Sequence, residues 1–159
     1  MGAALRRIRA TGAVVYCQVP MVAHVNDQAD TWTQLWRAEL AVGAVPYYMF
    51  VERDTGPYDH LKVPLARAVE IFHAAYRALP GLARTVRGPV MSTTPGKVIV
   101  DGVESRPDGR YFVLRMVQAR IPPWSVGPSG AHYDTSAAWL SDLELAPEVP
   151  LDLRQAVRP

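Results

Sequence analysis

A chain of 159 residues, 49% hydrophobic and 20% charged, has the size and balance of one globular domain with a core of its own. A formal net charge of +2, with Lys and Arg spread along the chain, argues against a nucleic-acid partner or an anionic-membrane surface. Cys17 stands alone, which excludes an internal disulfide and any multi-cysteine zinc or iron–sulfur site built from this chain by itself, and fits a reducing, cytoplasmic setting.

The chain opens on Met1 to Arg7, which leads into charge rather than an apolar signal core, and no later run approaches the length that spans a bilayer. Ala3 to Ala10 reads as the end of a helix, with Leu5 and Ile8 on one side, stopped by Thr11-Gly12. Ala13 to Val19 is a continuous apolar strand followed by a loop from Pro20 to Asp27. A helix is predicted from Asp30 as N-cap, with Trp32, Leu35, Trp36 and Leu40 at helical spacing and Gly43 just past its end.

Val45 to Val51, β-branched and aromatic, reads as a buried strand of a parallel sheet. It empties into Glu52-Arg53-Asp54 and Asp59-His60, and in α/β proteins such loops hold the ligands. A solvated turn is the other reading. Val63-Pro64 opens a second helix that buries Leu65, Val69, Phe72 and Ala75 and ends at Pro80-Gly81. Residues 1–80 therefore alternate as in a right-handed parallel α/β unit.

Residues 81–120 read as a small antiparallel β appendage: Val98 to Val100, a turn at Asp101-Gly102, a second turn at Pro107 to Arg110, and Tyr111 to Val117. Residues 121–159 read as a loop-rich tail, with Ile121 to Gly130 a loop, a short helix docked through Trp139, Leu140 and Leu143, and a loose end from Pro147. Two parallel strands close no barrel, so the chain reads as part of something larger. His24, His60, His73 and His132 have no metal-ligand spacing, and no metal site is expected.

The series Gln18 to Asp27, Val45-Pro46-Tyr47-Tyr48, His60, Pro64, Glu70-Ile71 and Pro95-Gly96-Lys97, in that order, resembles the second half of the lysine 2,3-aminomutase family of radical S-adenosylmethionine proteins over residues 3–120. The resemblance implies the C-terminal portion of a partial (βα)6 barrel. In the family a [4Fe–4S] cluster cleaves S-adenosylmethionine to a radical and pyridoxal phosphate holds the substrate amine. By the same resemblance Gln18 lies near the adenosyl group, and its other reading is a strand-end amide bonded to backbone. Asn26, with Asp27, matches a cofactor-side turn, and its other reading is a helix-entry cap. Lys97 matches the pyridoxal-binding lysine, against an exposed lysine at a strand start.

Departures from the family shape the functional expectation. Arg53 and Ser92 stand where the lysine-specific members carry aspartates that receive the substrate's far ammonium group. This implies a substrate other than lysine, with an anionic group that Arg53 could engage as a planar fork; Asp54 and His60 complete the substrate side. Arg84 and Arg87, beside Gly88-Pro89, could bind phosphate or carboxylate, or form surface ion pairs. The Cys-x3-Cys-x2-Cys cluster loop does not occur, so the chain alone is expected not to reduce S-adenosylmethionine. It then reads as a fragment of a radical enzyme, as the C-terminal partner of a separately encoded N-terminal half, or as a non-catalytic ligand-binding or interaction module on the inherited fold.

Overall fold

The computed structural model describes residues 2–53, 57–120 and 127–156. In order these form α1 (Gly2–Arg9), β1 (Tyr16–Met21), α2 (Ala29–Ala41), β2 (Val45–Val51), α3 (Tyr58–Leu61), α4 (Leu65–Arg77), β3 (Arg87–Ser92), β4 (Gly96–Arg106), β5 (Gly109–Ala119), β6 (Ser129–His132) and α5 (Leu151–Ala156). The protein is mixed α/β, built on an open six-stranded sheet whose strands lie side by side in chain order. Strands β1, β2 and β3 are parallel, and β3 to β6 run antiparallel in turn. Among the described residues no helix is long and apolar enough to cross a membrane.

The helices form where apolar residues repeat every three or four positions. In α2, Trp32 and Trp36 are one turn apart and buried, with ring centroids 5.5 Å apart. In α4, Leu65, Ala68, Val69, Ile71, Phe72 and Ala75 form a wide buried face. The cap of α2 is Gln28 rather than Asp30, which sits inside the first turn, where its charge complements the helix dipole. Arg9 of α1 donates to the carbonyl of Val42 just past the end of α2, placing a cation at a helix C-terminus.

Two crossovers in one direction, β1–α2–β2 and β2–α4–β3, have both helices on the same side of the sheet, the arrangement that connections of one common hand produce. That side carries two apolar clusters. One joins α2 and α4 to Met21 and Met49; the other joins α4 to Met91, Val100, Phe112 and the segment around Trp139 and Leu143. The opposite side has its own cluster of Tyr48, Val90 and Ile99 with Tyr47, Phe50 and Val117, made of strand residues only.

Several elements differ from the sequence expectation. Arg87 to Ser92 is a third parallel strand, although its Gly88-Pro89 has the chemistry of a turn. Glycine is required there because a Cβ would lie 2.9 Å from both the Cβ and the carbonyl oxygen of Met49 on β2. Asp101-Gly102 is no turn but a register shift inside the long strand β4, and the hairpin reverses at Arg106 to Gly109. Ser129 and Gly130, read as loop, begin β6, and the end of the chain carries α5 and a buried Val149. Residues 121–126 and Asp54 lie outside the described residues.

Candidate functional site

The carboxyl ends of β1, β2 and β3 and the strand-only face below them bring together most of the residues singled out from the sequence. A cleft of about 390 Å³ opens at that end, lined by Pro20 of β1, Phe50 and Val51 of β2, Glu52 and Arg53 beyond it, and Ser92 at the end of β3. Arg53 and Ser92 thus line one cleft. Arg53 is exposed, and no acceptor for its guanidinium occurs among the described residues.

The face running away from the cleft is aromatic. Side chains two apart on a strand share a face, so Tyr16, Gln18 and Pro20 of β1 point one way while Cys17, Val19 and Met21 turn to the helices, and their burial alternates accordingly. The register with β2 shifts between Cys17 and Gln18, and Tyr47 and Tyr48 both reach the strand-only face. The result is a row of rings: Tyr16 to Tyr47 at 5.2 Å, Tyr47 to Tyr48 at 4.1 Å and Tyr48 to Phe50 at 5.3 Å between centroids. It runs from the exposed edge at Tyr16 to the cleft.

Cations lie over this row. The Arg87 guanidinium is 5.5 Å from the Tyr47 ring centroid and the Lys97 ammonium 5.7 Å from that of Tyr48. Lys97 also donates to Gln118 Oε1 at 2.6 Å across the β4–β5 pair and lies opposite Ser92 on β3. The Tyr47 phenol is held above its ordinary pKa by its hydrogen bond to Tyr48, while Arg87 and Lys97 pull it the other way. Gly96, at φ 148, makes the Lys97 position available, because a Cβ there would collide with the Gln118 carbonyl. Gln18, exposed on the same face, is paired with Tyr48 in register.

The remaining sites stand apart. Asn26 is engaged inside its own loop: its Oδ1 accepts from the Val22 amide at 2.7 Å and its Nδ2 donates to the Pro20 carbonyl at 2.9 Å. Its carbonyl accepts from Trp32 Nε1, so the residue ties the β1 loop to α2. His60 does not line the cleft; its ring is 4.9 Å from that of His24 on the neighbouring loop. Cys17 faces α2, where burial and the Glu39 carboxylate push its thiol pKa up, and burial likewise raises Glu39.

A phosphate-bearing carbonyl cofactor fits these residues in outline, because Lys97 offers an amine and Arg87 a guanidinium over adjacent rings. The turn beside Lys97 adds no cradle: the Thr93 amide and hydroxyl both donate to the Gly96 carbonyl, and the Gly96 amide donates back to Thr93. A cluster held by three thiolates does not fit, since Cys17 is the chain's one cysteine and points to the helices. Among the described residues no group of three or more His, Cys, Asp or Glu side chains converges as metal ligands.

Fold and site thus define a mixed α/β protein with an aromatic, cation-bearing sheet face that leads into a cleft at the ends of its parallel strands. Over 99 residues, 62% of this chain, it is 29% identical to a protein of Aquifex aeolicus (strain VF5) named "Putative L-lysine 2,3-aminomutase". That likeness is a distant relationship, and the matched stretch spans 26% of the relative's length. No family model matches the chain.

Proposed function

We propose that this chain is the rear portion of a radical S-adenosylmethionine enzyme of aminomutase type, which moves an amino group within a small amine or amino acid other than lysine. In this reading β1 to β3 are the last strands of a partial (βα)6 barrel. The [4Fe–4S] cluster and most of the S-adenosylmethionine site belong to an N-terminal half, on the same or a separate polypeptide, that pairs with the free edge of β1. The observation that carries the reading is the one-sided arrangement of the sheet. Helices α2 and α4 cover one face, while the other presents aromatic rings, Gln18, Arg87 and Lys97 and ends in a cleft, as the inner wall of a barrel does.

The roles follow from chemistry and placement. Gln18, a neutral amide on the edge strand, offers hydrogen bonds to a ribose or an amino-acid end that reaches it from the partner half. Pyridoxal phosphate, when bound, supplies a ring that spreads an unpaired electron. Lys97 gives such a group its covalent anchor, and Arg87 holds the phosphate as a two-pronged donor. Tyr47 and Tyr48 beneath both cations exclude water from one side. At the cleft, Arg53 selects a substrate whose far end is anionic, with Ser92 as a neutral neighbour. The engaged amide of Asn26 gives that residue a loop-holding role.

A spectrum tests the cofactor assignment. The chain mixed with pyridoxal phosphate is expected to absorb as a lysine-linked cofactor, and Lys97→Ala to lose that band; equal spectra remove Lys97 from the site. For the substrate, lysine turnover by the complete enzyme would refute the role given to Arg53. A second reading, a non-catalytic binding module, is favoured by the single cysteine. An upstream or adjacent reading frame encoding Cys-x3-Cys-x2-Cys decides against it.

A further inference from the structure

On the helix-bearing side of the sheet a second cavity, a groove of about 800 Å³, lies between α4 and the β4–β5 hairpin. It is lined by the other side of the sheet from the cleft and does not depend on the function proposed above. Its floor is apolar, from Val69 of α4 and Val103 and Val113 of the hairpin. Gly102 keeps it open, because a Cβ there would have only His73 Cε1 within contact distance, at 3.7 Å.

The walls are charged, and the charges do not all cancel. Glu70 is paired with Arg67 at 3.4 Å, and both oxygens of Asp101 accept from Arg115 at 2.7 Å. Arg77 and Arg110 remain, with no acceptor for either guanidinium among the described residues. The Arg110 guanidinium lies 4.0 Å from the Tyr133 ring centroid. Stacking of this kind leaves its N–H edge free to meet an oxyanion in a two-pronged contact. An apolar floor with a few unmatched polar groups at this volume is the form of a small-molecule site.

We propose that this groove binds a small organic anion, with a ring or two against Val69, Val103 and Val113 and a phosphate or carboxylate head held by Arg77 and Arg110. The shared chemistry is an oxyanion on an apolar body. The test is a heteronuclear NMR titration of the full chain with naphthyl phosphate, naphthoate and, as uncharged control, naphthol. One or both anions should give saturable shifts at the amides of Val69, Gly102 and Val113, and whichever anion binds more tightly identifies the head group. The double variant Arg77→Gln, Arg110→Gln, at exposed positions, should weaken binding roughly ten- to a hundredfold. Gly102→Leu keeps both arginines but fills the floor and should abolish binding, while Lys97→Ala should leave it unchanged. The proposal is overturned if neither anion saturates those amides at millimolar concentration, if naphthol binds as well as the anions, or if the double arginine variant binds like the parent chain.

Discussion

Gly96 and Gly109 form a matched pair that tests how Lys97 is positioned. Both have nearly the same φ, 148 and 147, in a region that side chains rarely adopt. At Gly109 a Cβ would meet nothing within contact distance, whereas at Gly96 it would run into the Gln118 carbonyl on β5. Alanine at Gly109 should therefore cost only backbone strain, about 1–3 kcal/mol. Alanine at Gly96 should cost the same strain plus a steric term of about 1–3 kcal/mol, because the obstacle is main chain and cannot swing away. The difference between the two is the quantity of interest. In urea unfolding, with a slope of about 2 kcal/mol/M, it corresponds to roughly 0.5–1.5 M in midpoint beyond the Gly109→Ala shift. Equal midpoint losses, with unchanged slopes, would refute the pairing of Gly96 with Ala119. The placement of the Lys97 ammonium over Tyr48 would then lose its support.

Other measurements probe the frame around the site. Trp36→Ala removes a ring that is 2% exposed and packed on Trp32 and Phe72, so unfolding free energy should fall by about 3–5 kcal/mol; a loss below about 1 kcal/mol would show that α2 is not docked as described. Glu39 has a folded-state pKa raised by burial, so the folded state binds its proton more tightly than the unfolded chain does. Its ionisation therefore destabilises the fold as pH rises through and beyond the carboxylate range. Glu39→Gln should be more stable than the parent at about pH 7, with the gap closing towards about pH 4; a gap that widens on acidification contradicts the sign. The same variant removes the charge that helps raise the Cys17 thiol, so alkylation of Cys17 at mildly alkaline pH should accelerate, though burial still slows it.

What could be read from the sequence was what local spacing encodes. Trp32 with Trp36, and Leu65 through Ala75, announce their helices because the burial repeats every three or four residues, and Val45 to Val51 announces its strand. What could not be read depends on residues distant in the chain. Gly88-Pro89 has turn chemistry, and only the approach of Met49 explains its place within β3. Asp101-Gly102 is as strong a turn signal as a chain offers, yet β5 pairs straight past it. In the site, Arg53 and Ser92 were visible as residue types, and the cleft that joins them needed Pro20 and Phe50 from two strands. The row of rings was hidden for a further reason. Strict alternation would send Tyr47 and Tyr48 to opposite faces, and it is the register shift against β1 that gathers them.

The topology also says where to look for function in a chain of this kind. Successive crossovers in one direction put α2 and α4 on one side of the sheet, so most of the apolar core lies there, and the smaller cluster of Tyr48, Val90 and Ile99 lies on the other. Selection for packing alone would fill the other face of β1 and β2 with Val and Ile, which suit a pleated surface best. Instead it carries Tyr16, Gln18, Tyr47 and Tyr48, with Arg87 and Lys97 across from them, groups whose polar ends require water, a ligand or another chain. Tyr16 remains 57% exposed at the edge, whereas Tyr48, two strands from Lys97, is 5% exposed beneath its neighbours. The gradient runs from an open margin at β1 to a sealed centre. A partner that completes the sheet at β1 would cover the exposed end of this row, and a ligand entering from the strand ends would meet Arg53 in the cleft whose Ser92 stands opposite Lys97.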